Sequence, residues 1–402
     1  MITPRVADHV RALPTAALPA YVYDLTALDE HAHAVREALP PAVELYYAAK
    51  ANPDPAILRA LAPHVTGYEV SSGGELAHVH AAVPGRPLAF GGPGKTEAEL
   101  RLALGLGVER FHVESEHELR LLAALADEHP RRAPVGVLLR VNLPVADGGL
   151  GGAALAMGGR PSPFGLDPRR AEACPPLTRG GPLRLLGVHA HLASGLDAAA
   201  QLAVAAGVTS WAREFGDRHG LGPMEINVGG GMAVDYAGPH TRFDWSAYGQ
   251  GLGELAARHP GVTLRIEPGR SMTAYAGWYV TDVLDVKHSH GEAFAVLRGG
   301  THHMRTPAAK GHDHPFTVLP VEEWPRPWPR PAARNEPVTL TGQLCTPKDT
   351  LATGIPVTEV RAGDRIAFAM AGAYAWNISH HDFLMHPAPT FHYVSRPGRR
   401  TV

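Results

Sequence analysis

Cysteine is nearly absent: Cys174 and Cys345 are the two in 402 residues. Two thiols make no disulfide framework, which points to a reducing compartment. An excess of charge is also missing. The formal net charge is −2, so nothing electrostatic argues for nucleic acid or an anionic membrane as a partner. Glycine, proline and charge break every long apolar run, and none reaches the roughly 20 residues of a membrane span. The N-terminal stretch lacks the basic segment and apolar core of a signal peptide. The expectation is a cytoplasmic protein that acts on small molecules. What is present fits that reading, since 45% apolar and 19% charged residues describe an ordered chain with a sizeable core and room for two domains. The abundance of alanine, arginine, glycine and proline reads as coding bias.

Short apolar runs alternate with helix-like segments through the first two thirds of the chain, the pattern of repeated βα units. Eight runs are found: 45–50, 67–71, 88–91, 110–114, 135–141, 185–191, 224–228 and 263–267. Stretches such as 97–106 and 116–126 carry apolar residues at helical spacing with acidic residues near their starts. Eight units predict a closed (β/α)8 barrel over 22–270, in which strand C-termini converge on one face and aim Lys50, Glu69, His191, Gly229 and Glu267 at one site. After Arg270 the texture changes to β-like runs, including 278–286, 293–297, 338–341 and 365–369. A C-terminal β domain is expected over 271–402, joined by residues 1–21. The proline- and tryptophan-rich stretch 322–337 reads as a loop or edge excursion, and the glycine-rich stretch 147–163 as a flap bordering the site.

Two strand ends carry the first chemical signal. Lys50 closes Leu45-Tyr46-Tyr47-Ala48-Ala49, and Glu267 closes Val262-Thr263-Leu264-Arg265-Ile266 ahead of Pro268-Gly269-Arg270. A lysine ending an apolar run is a candidate for desolvation, which favours the neutral amine that a Schiff base needs. A carboxylate at another strand end holds a pyridine nitrogen protonated and makes the ring an electron sink. Alone, Lys50 reads as a lysine with its stem on apolar surface; paired with Glu267 it predicts pyridoxal 5'-phosphate. Gly229-Gly230-Gly231 reads alone as a flexible turn, and at a barrel strand end as backbone wrapping a phosphate. His191 and Ser194 end another strand. His189 and His191 alternate along it, which is also a metal-ligand spacing, yet no cysteine or acidic cluster accompanies them. A flat imidazole at His191 suits stacking on an aromatic cofactor, and His189 reads as a core histidine satisfied by backbone. The groups His302-His303, His312-Asp313-His314 and His380-His381-Asp382 match no familiar zinc signature. They read as polar loop or interface residues, and no metal is expected.

Taken together, the motifs resemble the fold-type III pyridoxal phosphate decarboxylases, the group of ornithine, arginine and diaminopimelate decarboxylases on an alanine racemase-like barrel. They are Tyr47-Ala48-Ala49-Lys50-Ala51-Asn52, Glu69 through Leu76, His191 with Ser194, Gly229-Gly230-Gly231, Glu267-Pro268-Gly269-Arg270, Gly342-Gln343-Leu344-Cys345 with Asp349, and Ala371-Gly372-Ala373-Tyr374. The resemblance implies that Lys50 carries the cofactor, His191 stacks on its ring and Glu267 pairs with the pyridine nitrogen. Ser194, the three glycines, Gly269, Arg270 and Tyr374 would hold the phosphate end. It implies a homodimer with shared active sites, in which Cys345 enters the partner's barrel mouth as a proton donor and Arg270, Cys345, Asp349 and Tyr374 meet the substrate. Taken as a composition fact alone, Cys345 is a buried, inert thiol.

The substrate is narrowed by departures. Diaminopimelate decarboxylases carry an acidic residue directly after this cysteine, and Thr346 stands here. The stretches 157–165, 299–303 and 376–387 look like the branch that decarboxylates amino acid adducts of citrate during carboxylate siderophore assembly. A histidine- and arginine-lined mouth suits such a polycarboxylate. Diaminopimelate or another basic amino acid is the alternative substrate. A racemase would place an arginine near the pyridine nitrogen where Glu267 stands, and a non-catalytic regulatory homologue would be expected to have lost Lys50 or Cys345.

Overall fold

The computed structural model describes residues 2–130, 134–144 and 155–396, so 147–154 of the glycine-rich stretch lie outside the described residues. The chain divides into two compact units. One comprises Asp29–Ala233 and Phe243–Met272, the other Met1–Leu28, Val234–Arg242 and Thr273–Val402. Residues 22–28 and 234–242 thus fall with the second unit, whereas the sequence reading placed both stretches in the barrel. The reason for the first is pairing: Ala20–Asp24 is a strand hydrogen-bonded between Gly277–Ser289 and Thr390–Val394.

The first unit is a closed barrel of eight parallel strands, Val43–Ala48, Gly67–Val70, Leu88–Phe90, Arg110–Val113, Val135–Arg140, Leu183–His189, Met224–Asn227 and Val262–Ile266, each paired with the next and the last with the first. The eight runs read from the sequence are these strands. They are buried almost throughout, which explains why they read as continuous apolar runs rather than alternating ones. Most of the intervening helices start at a side chain that accepts a first-turn N–H: Asp54, Ser72, Thr96, Ser115, Asp197 and Asp244. Thr96 and Glu99 form a complete capping box.

The end of the barrel interior near the strand starts is filled by ions. Arg265, fully buried, reaches the carboxylates of Glu44 and Glu225, and Arg110 grips Glu225 with two bonds of 2.8 and 3.0 Å. The Tyr46 ring lies 4.5 Å from the guanidinium carbon of Arg265.

The second unit is an eight-stranded sheet that includes Gly277–Ser289, Glu292–Leu297, Phe316–Leu319, Ala332–Thr341, Thr350–Arg361 and Arg365–Phe368. Part of the expected excursion over 322–337 is strand: Ala332–Thr341 runs antiparallel to Thr350–Arg361. Pro337 is tolerated because pairing with the other neighbour, Glu292–Leu297, begins only at Val338. Of the histidine groups read as polar loop or interface residues, three members, His302, His303 and His314, are buried within the chain itself; His302 and His303 pack ring to ring at 4.0 Å, and His381 stacks on Trp376 at 3.5 Å.

Candidate active site

Strand register places a cluster of polar side chains at the C-terminal ends of the barrel strands. Lys50 lies in a single 3-10 turn, Ala49–Ala51, directly after its strand. Its Nζ donates to Glu69 Oε2 at 2.6 Å, and its side chain is 44% exposed. The expected desolvation is therefore not what the turn provides; Lys50 is held by a charge partner on the next strand. Glu69, buried at the end of Gly67–Val70, also accepts from Ser71 Oγ at 2.8 Å. Behind it Glu75 accepts from the Ser71 N–H at 2.7 Å, and burial, followed by the charge of Glu69, pushes its carboxyl up to about 7. Gly91 makes room for both Glu69 and His112: a Cβ there would stand 2.9 Å from Glu69 Oε1 and 3.4 Å from His112 Nδ1.

Glu267 is the hub at the end of Val262–Ile266, the strand that pairs with Lys50's strand on its other side. Its Oε1 accepts from Asn227 Nδ2 at 2.6 Å. Asn227 Oδ1 in turn accepts from the Gly229 N–H at 2.9 Å, and the Gly230 N–H donates to His191 Nδ1 at 3.2 Å. Glu267, Asn227, the glycine loop and His191 are thereby one hydrogen-bonded unit. Burial, with Lys50 and Arg140 nearby, pushes His191 down to about 3, so it is a neutral ring. The loop demands glycine: a Cβ on Gly230 would stand 2.2 Å from Glu267 O, and one on Gly231, at φ +96°, 2.1 Å from Ala193 O. Gly269 packs on the lysine turn, 2.9 Å from Ala51 Cβ by the same measure. Ser194 lies in the short strand Ala193–Ser194, paired with Leu155–Ala156, so the described end of the glycine-rich stretch borders the site. Arg270 opens the turn Arg270–Thr273.

Lys50, His191, Ser194, Gly229, Gly230, Gly231, Glu267, Gly269 and Arg270 all belong to the barrel unit, and Cys345, Asp349 and Tyr374 to the β unit. Cys345 is exposed, not buried. Tyr374 has φ +49°, a left-handed backbone unusual for a bulky residue. The Asp349 carboxylate is buried and accepts from the Thr301 N–H at 2.6 Å, Thr301 Oγ1 at 2.8 Å and the Leu344 N–H at 2.8 Å. Those bonds fix the cysteine loop.

Sequence reasoning missed Asn227 and His112, and it mistook His189. His189 is buried, but neither ring nitrogen has a hydrogen-bond partner, and the same holds for His112 Nε2. The signal was available, since each is a polar residue near the C-terminal end of a barrel strand. His112, His189 and Glu267 also bring one ligand atom each within 4.8 Å of one another. The two rings are stacked, with centroids 4.2 Å apart and planes inclined by 12°. Imidazole binds metal in its ring plane, so lone pairs in two nearly parallel planes do not converge on one ion.

Comparison with known proteins follows the same lines. The family model described as "Pyridoxal-dependent decarboxylase, pyridoxal binding domain" matches residues 25–274. The chain is 39% identical over 380 residues, covering 94% of each protein, to 2-[(L-alanin-3-ylcarbamoyl)methyl]-2-hydroxybutanedioate decarboxylase of Staphylococcus aureus. It is 31% identical to L-glutamyl-[BtrI acyl-carrier protein] decarboxylase of Niallia circulans, covering 92% of this chain and 87% of that one. Diaminopimelate decarboxylase from Helicobacter pylori superposes with a TM-score of 0.80 over 98% of this chain and 94% of that one; at 23% identity this shows the shared fold. The side chains fit pyridoxal phosphate on their own terms. An amine, a buried carboxylate, a neutral buried ring and a loop too tight for any Cβ are the donor set such a cofactor needs. The chain belongs to the pyridoxal-dependent decarboxylase family and is a pyridoxal 5'-phosphate-dependent carboxy-lyase.

Proposed function

We propose that the substrate is an amino acid joined through an amide to a citrate skeleton, and that the enzyme removes the α-carboxylate of its amino acid end in carboxylate siderophore biosynthesis. The observation that carries this is the 39% identity over nearly the whole of both chains to an enzyme named for such a compound. Diaminopimelate decarboxylases match at up to 32%. Thr346 after Cys345 agrees with the assignment, because a neutral residue there leaves no anion to repel a polycarboxylate.

When bound, pyridoxal phosphate supplies the electron sink for loss of carbon dioxide. Lys50 would hold it covalently, with Glu69 as the charge partner of that side chain. Glu267 would partner the pyridine nitrogen, with Asn227 fixing one of its oxygens, and neutral His191 would support the ring without adding charge. Ser194, the Gly229–Gly231 backbone, Gly269, Arg270 and Tyr374 hold the phosphate end. Cys345 delivers the proton that replaces the carboxylate. The assembly is a cytoplasmic homodimer in which Cys345 and Tyr374 serve the partner's barrel. Among the described residues no helix is long and apolar enough to cross a membrane.

The test is carbon dioxide release by the holoenzyme from the citrate–diaminopropionate amide, diaminopimelate and ornithine, with mass detection of the amine. The amide is expected to exceed the others by at least about 100-fold in kcat/KM, the scale of discrimination that buried polar contacts give. Preference for diaminopimelate would overturn the assignment.

A further inference from the structure

His112 and His189 are two buried imidazoles stacked on each other beside Glu267; His189 makes no hydrogen bond through either ring nitrogen, and His112 makes none through Nε2. A buried donor without an acceptor is destabilising, and apolar side chains of similar shape would fill the same space more favourably. Burial pushes both rings well below the usual imidazole range. For His189 the positive charges of Arg140, Lys50 and Lys95 and the neighbouring His191 act the same way; for His112, His189, Arg265 and Lys95 do, opposed by Glu267. Both are therefore neutral, each with one N–H to place. The nearest acceptor is shared: His189 Nε2 stands 3.3 Å from Glu267 Oε2, and His112 Nε2 stands 3.7 Å from Oε1. Asn227 already donates to Oε1. A carboxylate has room for further donors, and such contacts are often long before a site is loaded. The pair is itself held in place, since buried Lys95 bonds the His112 carbonyl at 2.7 Å while pairing with Glu118 at 2.5 Å.

We propose that His112 and His189 are positioning residues for the reaction: they donate Nε2–H to Glu267 from behind and orient its carboxylate toward the cofactor's ring nitrogen. His189, the nearer, carries more of the effect. This rests on the assignment of Glu267 as the partner of that nitrogen.

The experiment loads the enzyme with pyridoxal phosphate labelled with nitrogen-15 in the ring and records the ring resonance, whose shift reports protonation directly. In the wild type the nitrogen is protonated. In His189→Leu the resonance moves toward the unprotonated position, and kcat falls about 10- to 100-fold, the usual cost of loosening a ligand's support, with KM within about threefold. His189→Gln, whose amide reaches the place of Nε2, restores most of both. His112→Phe, which keeps the stacked ring, gives a smaller shift in the same direction and serves where His189→Leu does not fold. Glu267→Gln separates the two failures. If that variant leaves the resonance in place, Glu267 is not the nitrogen's partner and the underlying assignment falls. If it moves the resonance while the folded histidine variants do not, the positioning role alone is overturned.

Discussion

The two ends of the barrel are made from the same eight strands and both hold charged residues, yet they are built differently. At the strand starts, Glu44, Arg110, Glu225 and Arg265 are matched cation to anion. Burial opposes the ionised form of Glu225, but the Arg110 bond and the Arg265 charge still hold its carboxyl below the usual range. At the strand ends, by contrast, Glu75 is raised and three imidazoles are pushed down. Lys50 is half open to solvent. The first end is the more fully paired, although Arg265 Nη1 has no hydrogen-bond partner; at the second, His189 has none through either ring nitrogen and His112 none through Nε2. Saturated ion networks resist change in any member and belong to stability; under-partnered groups on a rigid frame are what a ligand can complete.

The sharpest break of this comparison is at the mouth. Lys50→Ala is expected to cost at least about 1,000-fold in activity, since it would remove the proposed covalent anchor for the cofactor, while leaving the melting temperature of the cofactor-free protein within a few degrees. Borohydride reduction of the wild-type holoenzyme followed by peptide mapping places the label on Lys50; another labelled lysine would refute the role. Mixing Lys50→Ala with Cys345→Ala under subunit exchange probes the shared sites. Random reassortment leaves one intact site in half of the dimers, about a quarter of all sites. No recovery despite demonstrated exchange would remove Cys345 from the partner's site.

The opposite result is expected at the floor. Arg265→Met leaves Glu44 and Glu225 without their shared cation. Removing one partner of a buried pair costs about 3–5 kcal/mol, and partial exposure of Glu44 places this one toward the lower figure. Urea unfolding should show that loss with kcat of the folded enzyme within about threefold of wild type. A large fall in kcat with unchanged stability would erase the distinction between the two ends.

Much of this division was legible before the fold was known. All eight barrel strands were readable because buried parallel strands are apolar on both faces, and Lys50 and Glu267 stood out as charges ending such runs. The strand Ala20–Asp24 carried the same apolar signature, but its partners lie some 250 and 370 positions away, and no local pattern announces pairing at that range. Pro337 hid a strand because its missing donor matters only where a second neighbour pairs. Asp349 stood out by motif, but the three bonds by which it ties its own loop together were not visible there. His112 and Asn227 were visible as polar residues near strand ends, but nothing short of register shows that they meet at Glu267.

The smallest expected effect concerns Glu75, the one carboxyl at the mouth pushed up to about 7. In an unfolded chain a glutamate titrates near about 4.3. Between those values the folded protein holds a proton that the unfolded chain has released. Stability therefore falls as pH rises through that window and is flat on either side of it, the reverse of a carboxylate held in an ion pair. The slope is at most about 1.4 kcal/mol per pH unit, and the whole change is on the order of 1–3 kcal/mol. Glu75→Gln keeps the acceptor for the Ser71 N–H and removes the titration. Urea midpoints at pH 5 and pH 7.5 should converge in the variant relative to wild type. An unchanged difference would mean that Glu75 ionises normally and that the mouth's unmet demand lies with the histidines alone.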